Sequence, residues 1–400
     1  MLGITNMLVV FLTLLVGVSS LTVLPACTNC TIDVEGAVSQ GHKCGTWKGH
    51  VPDIPARVFQ TRIGVQMIVG STAYFPMAGP SPLNQTRSCT ISYNKSADGD
   101  PSHYAADEYL DSPVVFPNGT VVALVHTEFP GNKFNNSGGP GEPYCTGSAY
   151  PNCWTVSIGL VVSNDFGATF RHPLSPPHHL VAAVPYMYNQ SQLASGWGDP
   201  SNILKHPSDG YYYAAIWNRH QVGLQAPGIC MMRTNALLDP GSWRAWDGQQ
   251  YSVRFADAYT MEPGTDVSHI CTVTNLPAGS VDDGCAAHGL FWSAYLNQFV
   301  ATLGCNQAQQ AVFKYATSDD LITWSNAEVL LSPEQARHAS PDVRRGMNYP
   351  TFIDPTAPTA FGDPNYGTIG QYPYLFWVSI GDNPEDIGRH LLATPFRIQK

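Results

Sequence analysis

Ser112-Pro-Val-Val-Phe-Pro-Asn118-Gly119-Thr-Val-Val-Ala-Leu-Val-His126 reads as two apolar runs on either side of a short polar break. Val, Phe and Leu at this density favour extended backbone, and Asn-Gly supplies the positive φ angles that a two-residue hairpin turn requires. The stretch predicts an antiparallel hairpin. A second copy runs from Pro200 through Asp209-Gly210 to Trp217, and weaker copies span Ile54 to Tyr74, His288 to Leu303 and Tyr349 to Val378.

Five such units recur along the chain, helical periodicity is scarce, and no Ser/Gly linker or charge run offers a place to divide it. A single hairpin cannot enclose a core, so repeated hairpins must stack to bury their faces. The expected fold is all-β: a five-bladed β-propeller with long inserted loops, because the copies are spaced more widely than the ~40–45 residues of a compact blade. A β-sandwich pair with long loops is the alternative. Residues 51–400 are assigned to this one domain, 21–50 to an N-terminal Cys-containing segment, and 1–20 to a leader.

A second element follows the hairpin. Ser163-Asn-Asp165-Phe-Gly167-Ala-Thr169-Phe170 resembles the Asp box of sialidases and related propellers; Ser318 to Trp324 is a shortened form and Arg233 to Trp243 a more decayed one. Its chemistry is structural, with Ser and Asp side chains bonding backbone N–H groups of a tight turn above a packed aromatic. Asp165 and Asp320 are therefore not read as catalysts.

The leader carries an apolar block, Met7 to Val18, followed by Ser19 and Ser20, the layout of a secretory signal peptide. No later segment supplies the ~20 apolar residues of a membrane span, so none is expected once the signal is removed, and the chain is expected to be secreted. Ten cysteines in an oxidising compartment favour disulfides. Cys145 with Cys153 and Cys271 with Cys285 are the local pairs expected. Sequons at Asn29, Asn84, Asn94, Asn118, Asn135 and Asn189 suggest a glycoprotein. A net charge of −10 with only 20 Lys plus Arg, none forming a basic stripe, excludes nucleic acid as an expected partner. There is no phosphate loop, dinucleotide fingerprint or nucleophile elbow, so no cofactor is expected. His178-His179 reads as a solvated loop, since no carboxylate or third histidine stands at matching spacing, and no metal is expected.

In a propeller the starts of the innermost strands converge. Acids recur there: Asp53 in the first unit, Asp111 in the second, Asp199 in Gly196-Trp-Gly-Asp199-Pro of the third. On this pattern the chain resembles the five-bladed glycosidases, the arabinanase, xylosidase and invertase-like families, which place one acid in each of the first three blades. The resemblance implies that one carboxylate acts as base or nucleophile, one tunes pKa values and one donates the proton. The third acid is usually Glu in those families, whereas here it is Asp199. Glu128, at the end of the second strand of the second unit, is the other candidate for the donor, with Glu262 a further one.

Substrate contacts are expected from Arg57, His126, Trp217, Arg219, Asn348 and Tyr349. Arg57 is placed to pair with Asp53 or with an acidic sugar. The leading expectation is a secreted, cofactor-free glycoside hydrolase acting on a carbohydrate. The alternatives are a sialidase-like exo-glycosidase, with Tyr349 as nucleophile and arginines around a sugar carboxylate, and a non-catalytic glycan-binding propeller.

Overall fold

The computed structural model describes residues 20–23, 52–70, 73–131, 133–134, 153–189, 192–277, 284–307, 310–339, 346–381 and 389–399. All of the expected leader but Ser20, together with Cys27, Cys30, Cys44 and Cys145 and the sequons at Asn29 and Asn135, lies outside these residues.

The described strands form five sheets of four or five strands and one two-stranded ribbon. In the first sheet, Arg57–Thr61, Gly64–Ile68, Met77–Ser81 and Asn84–Arg87 are neighbours in chain order. The second is built from Asp107–Val115, Val121–Pro130, Trp154–Ser163 and Leu180–Ala182. The third runs from Leu204–Lys205 through Tyr212–Asn218 and Gly228–Thr234 to its edge. Cys285–Ser293, Gln298–Gln307, Gln310–Ser318 and Glu328–Leu331 make the fourth. Gly346–Ile353, Tyr374–Ile380 and Arg389–Gln399 make the fifth, and Ser20–Val23 pairs with the last of these as its outer strand. This architecture is all-β and consistent with a propeller-type fold.

Apolar runs form the central strands of these sheets because both of their faces are covered. Side chains alternate along a strand with period two. Val121, Ala123 and Val125 pack with Phe59 and Ile68 of the first sheet, while Val122 and Leu124 pack with Ile216 and Met232 of the third. Ala215 and Met231 join Leu290 and Leu303 of the fourth; Phe291 and Phe313 join Trp377 and Phe396 of the fifth. Phe376 and Val378 then pack with Val58 and Met67 of the first. A run with both faces buried reads as continuously hydrophobic, as 121–125 does.

The hairpin at Asn118-Gly119 departs from the two-residue turn. Phe116 and Thr120 still pair (Phe116 N–H to Thr120 O, 2.8 Å), Gly119 N–H donates to Phe116 O at 2.9 Å, and only Gly119 takes positive φ, +89°. Pro117 favours the ordinary type I turn at this corner, so a three-residue loop closed by one left-handed glycine replaces it.

In the Ser163 turn, Gly167 N–H donates to Ser163 Oγ at 2.8 Å and Thr169 N–H to Asp165 Oδ1 at 2.9 Å, above buried Phe170. Ser318 and Asp320 accept equivalent bonds from Leu321 and Thr323 above buried Trp324. These two turns and the 234–243 connection each leave the strand that stands third in chain order in its sheet. Asp165 and Asp320 are exposed there.

Two disulfides are described, Cys230–Cys271 and Cys285–Cys305. The expected Cys271–Cys285 pair is therefore replaced. Cys285 and Cys305 face one another across adjacent strands, a juxtaposition that sequence proximity hides. Cys153 is disulfide-bonded, but its expected partner Cys145 is outside the described residues. Among the described residues no helix is long and apolar enough to cross a membrane.

Candidate active site

A cavity of about 480 Å³ is lined by Asp53, which precedes the first sheet, and by residues of the other four sheets and the segments between their strands. Asp53, ahead of the first sheet, meets Tyr109, His126 and Glu128 of the second, Asp199, Trp217 and Arg219 of the third, His288 of the fourth, and Asn348, Tyr349 and Arg389 of the fifth.

The inner strands share a kink that brings these groups together. Ser112, Asp199 and Tyr349 each take positive φ (43°, 44° and 60°) immediately before Pro113, Pro200 and Pro350. A residue before proline ordinarily stays extended, so each of these positions is strained and must be held by its surroundings. The ladder shifts register at two of them, between Asp111 and Pro113 and between Asn348 and Thr351. Asp199 is held by its own N–H, which donates to His126 Nδ1 at 3.1 Å.

Three carboxylates reach the cavity in different company. Asp53 accepts from the Tyr349 hydroxyl at 3.0 Å and is ion-paired with Arg389. Glu128 lies 3.2 Å from His126 Nε2, and burial and then the Glu128 charge raise the Tyr109 pKa. Burial holds the Asp199 carboxyl above its ordinary pKa, and the Glu128 and Asp111 charges add to that against a partial offset from His126. Burial would lower the His126 pKa, but Glu128 and Asp199 more than compensate and it is raised. The Asp199 N–H aimed at Nδ1 requires that nitrogen unprotonated, so the tautomer carrying its proton on Nε2 satisfies both neighbours.

Asp111 does not line the cavity. It is buried, and Arg57 Nε donates to its Oδ1 at 2.6 Å. Arg57, expected to pair with Asp53 or a sugar, is itself buried and also donates to His288 O at 2.7 Å and Pro200 O at 2.8 Å. The reason is geometric: the kinked strands turn carbonyls inward, and a guanidinium with five donors fits that convergence.

The Arg219 guanidinium lies 4.7 Å from the Trp217 ring centroid, a cation–π contact at the cavity wall. Tyr349 is held as the neutral phenol by burial and by the Asp199 and Glu128 charges, which raise its pKa well above the ordinary value. Glu262 is exposed in a turn and does not line the cavity.

Sequence reasoning missed Tyr109, His288 and Arg389. Tyr109 was recoverable, since it stands directly opposite His126 in the hairpin register. Arg389 follows a connection with no pattern to place it.

No family model and no curated sequence relative matches the chain. Among solved structures, it shares its fold with a candidate glycosidase from Bacteroides thetaiotaomicron, at a TM-score of 0.51, 9% identity and coverage of 87% of each chain. A candidate glycoside hydrolase from Bacteroides ovatus aligns over 95% of this chain and 97% of that one, at 10% identity and a TM-score of 0.49. An exo-1,5-α-L-arabinanase from a bovine ruminal metagenomic library aligns over 86% and 92%, at 10% identity and a TM-score of 0.47. At these identities the likeness concerns the fold alone.

Proposed function

We propose that the chain is a secreted glycoside hydrolase on a closed five-bladed propeller, cleaving glycosidic bonds with Asp199 as proton donor and Asp53 as the opposing carboxylate. Closure is supported by the apolar packing of the fifth sheet on the first. The disulfides and the signal-like leader support export. The observation that carries the reading is the division of labour in one cavity. Asp199 has its pKa raised, as a donor needs, while Asp53 already faces a guanidinium and a phenol. Glu128, through His126, positions the backbone of Asp199 and adds the negative charge that keeps it protonated. Trp217 offers a face on which a sugar ring stacks.

The sialidase-like alternative loses support. Arg57 is committed to Asp111, and Tyr349 is held protonated, the reverse of what a nucleophile requires.

Hydrolysis of nitrophenyl glycosides of pentoses and hexoses tests the proposal. Asp53→Asn and Asp199→Asn are each expected to lower kcat/KM by roughly 10²- to 10⁴-fold with the fold retained. Full activity in both variants overturns it, and binding of glycans without product release favours a non-catalytic lectin.

A further inference from the structure

We propose that Glu108, His172 and His179 form a binding site for a divalent transition-metal ion, zinc by its donor set, separate from the cavity. The sequence offered no partner for His179 at metal-ligand spacing, but folding supplies two. Glu108 comes from the first strand of the second sheet and, next to Tyr109 in that strand, faces away from the cavity. His172 follows the Ser163 turn. Of the adjacent pair, His178 is exposed and His179 is fully buried.

Glu108 Oε1 lies 2.8 Å from His172 Nε2, the His172 and His179 ring centroids are 4.0 Å apart, and one donor atom from each of the three residues lies within 4.8 Å of the others. Two imidazoles and a carboxylate are a recurrent zinc set, leaving one position of the tetrahedron for water. The atoms around them are already arranged as a supporting shell. His172 Nδ1 donates to Leu160 O at 2.9 Å, and His179 Nε2 lies 3.1 Å from Tyr104 O. Glu108 Oε2 accepts from Tyr93 Oη at 2.9 Å and Ser96 N at 3.0 Å. Metal-binding side chains are ordinarily oriented by such outer bonds.

An ion pair between Glu108 and His172 accounts for part of the cluster, but it leaves His179 Nδ1 buried with no hydrogen-bond partner. A nitrogen lone pair shut away from water beside a carboxylate and a second imidazole is what a metal ion would satisfy. The ion would fasten the 93–104 segment and the 171–180 loop to the strand that carries Tyr109 and Asp111.

The test uses the full, tag-free chain, stripped with EDTA and titrated with zinc chloride by calorimetry and thermal melting. One equivalent is expected to bind and to raise Tm. His179→Phe is expected to weaken zinc binding by about tenfold or more, whereas His178→Phe leaves it unchanged. Zinc-edge X-ray absorption on the wild-type protein, which needs no variant to fold, is expected to show scattering from two imidazoles. No saturable binding, equal binding in His179→Phe, or a spectrum without imidazole overturns the proposal. None of these outcomes depends on hydrolysis.

Discussion

Arg57 and Asp111 form a buried ion pair, Nε to Oδ1 at 2.6 Å, and through its other nitrogens Arg57 ties the first sheet to Pro200 of the third and His288 of the fourth. Ser112, next to Asp111, adds a bond from its hydroxyl to Ser201 O at 2.6 Å. Asp111, expected as one of three central acids, thus joins a buried network between sheets, and its charge also raises the Asp199 pKa. Removing one member of a buried pair strands the other's charge, which costs about 3–5 kcal/mol. Arg57→Met and Asp111→Asn are accordingly expected to lower unfolding free energy by that order in urea denaturation. A stable, fully folded Asp111→Asn protein that has lost only hydrolysis would return Asp111 to the chemistry.

Asp199 makes a prediction in pH. Its folded pKa is raised, by burial first and by Glu128 and Asp111 second. A proton donor must be protonated, so kcat/KM is expected to fall as pH rises through that pKa. Glu128→Gln removes one of the raising charges and should move this alkaline limb to lower pH, while burial keeps it above the ordinary carboxyl value. Stability has the same sign: the folded state holds the proton more tightly, so this contribution is complete below the unfolded pKa and is lost as pH rises through the folded one. A limb unmoved in Glu128→Gln would remove Asp199 from the donor's role.

How much of this was legible follows from which signals are local. The hairpins were readable because Val121 to Val125 is apolar on both faces and Gly119 marks the corner; those are properties of adjacent residues. The recurring acid position led to Asp53 and Asp199 at the cavity, and the strand end led to His126 and Glu128. Asp111 stands off the cavity lining, next to the kink at Ser112, and no propensity encodes a pre-proline residue at φ 43°. The Cys285–Cys305 bond and the Glu108, His172 and His179 cluster depend on strands and loops meeting across the fold, where sequence separation carries no information.

His288 predicts acid lability. Its imidazole is buried, and burial with the nearby Arg57 charge lowers its pKa to about 3. The folded state keeps it neutral while the unfolded chain takes up a proton near pH 6.5. Stability from this group is therefore complete above about pH 6.5 and declines as pH falls toward 3, by up to about 1.4 kcal/mol per pH unit. Urea midpoints measured from pH 7 to pH 4 should fall more steeply for the wild-type chain than for His288→Gln. Parallel curves would mean that His288 gains a proton without cost, contrary to its burial.

The Ser163 turn and the Asn118-Gly119 hairpin make a graded prediction, because they touch. A Cβ on Gly119 would stand 1.9 Å from the Phe166 ring, and Phe166 O accepts from Gln66 Nε2 of the first sheet at 2.6 Å. Asp165→Ala removes exposed bonds to Thr169 at the turn's edge and is expected to cost about 1–2 kcal/mol. Gly119→Ala meets both a positive φ and the Phe166 ring, so it must displace the turn and should cost more than Asp165→Ala. Neither residue lines the cavity, so kcat/KM at a temperature where each variant stays folded is expected to equal wild type. Thermal melting and initial rates on the same preparations check both halves. If Asp165→Ala lowered kcat/KM while leaving Tm unchanged, the turn would belong to the chemistry rather than to the packing of the first two sheets.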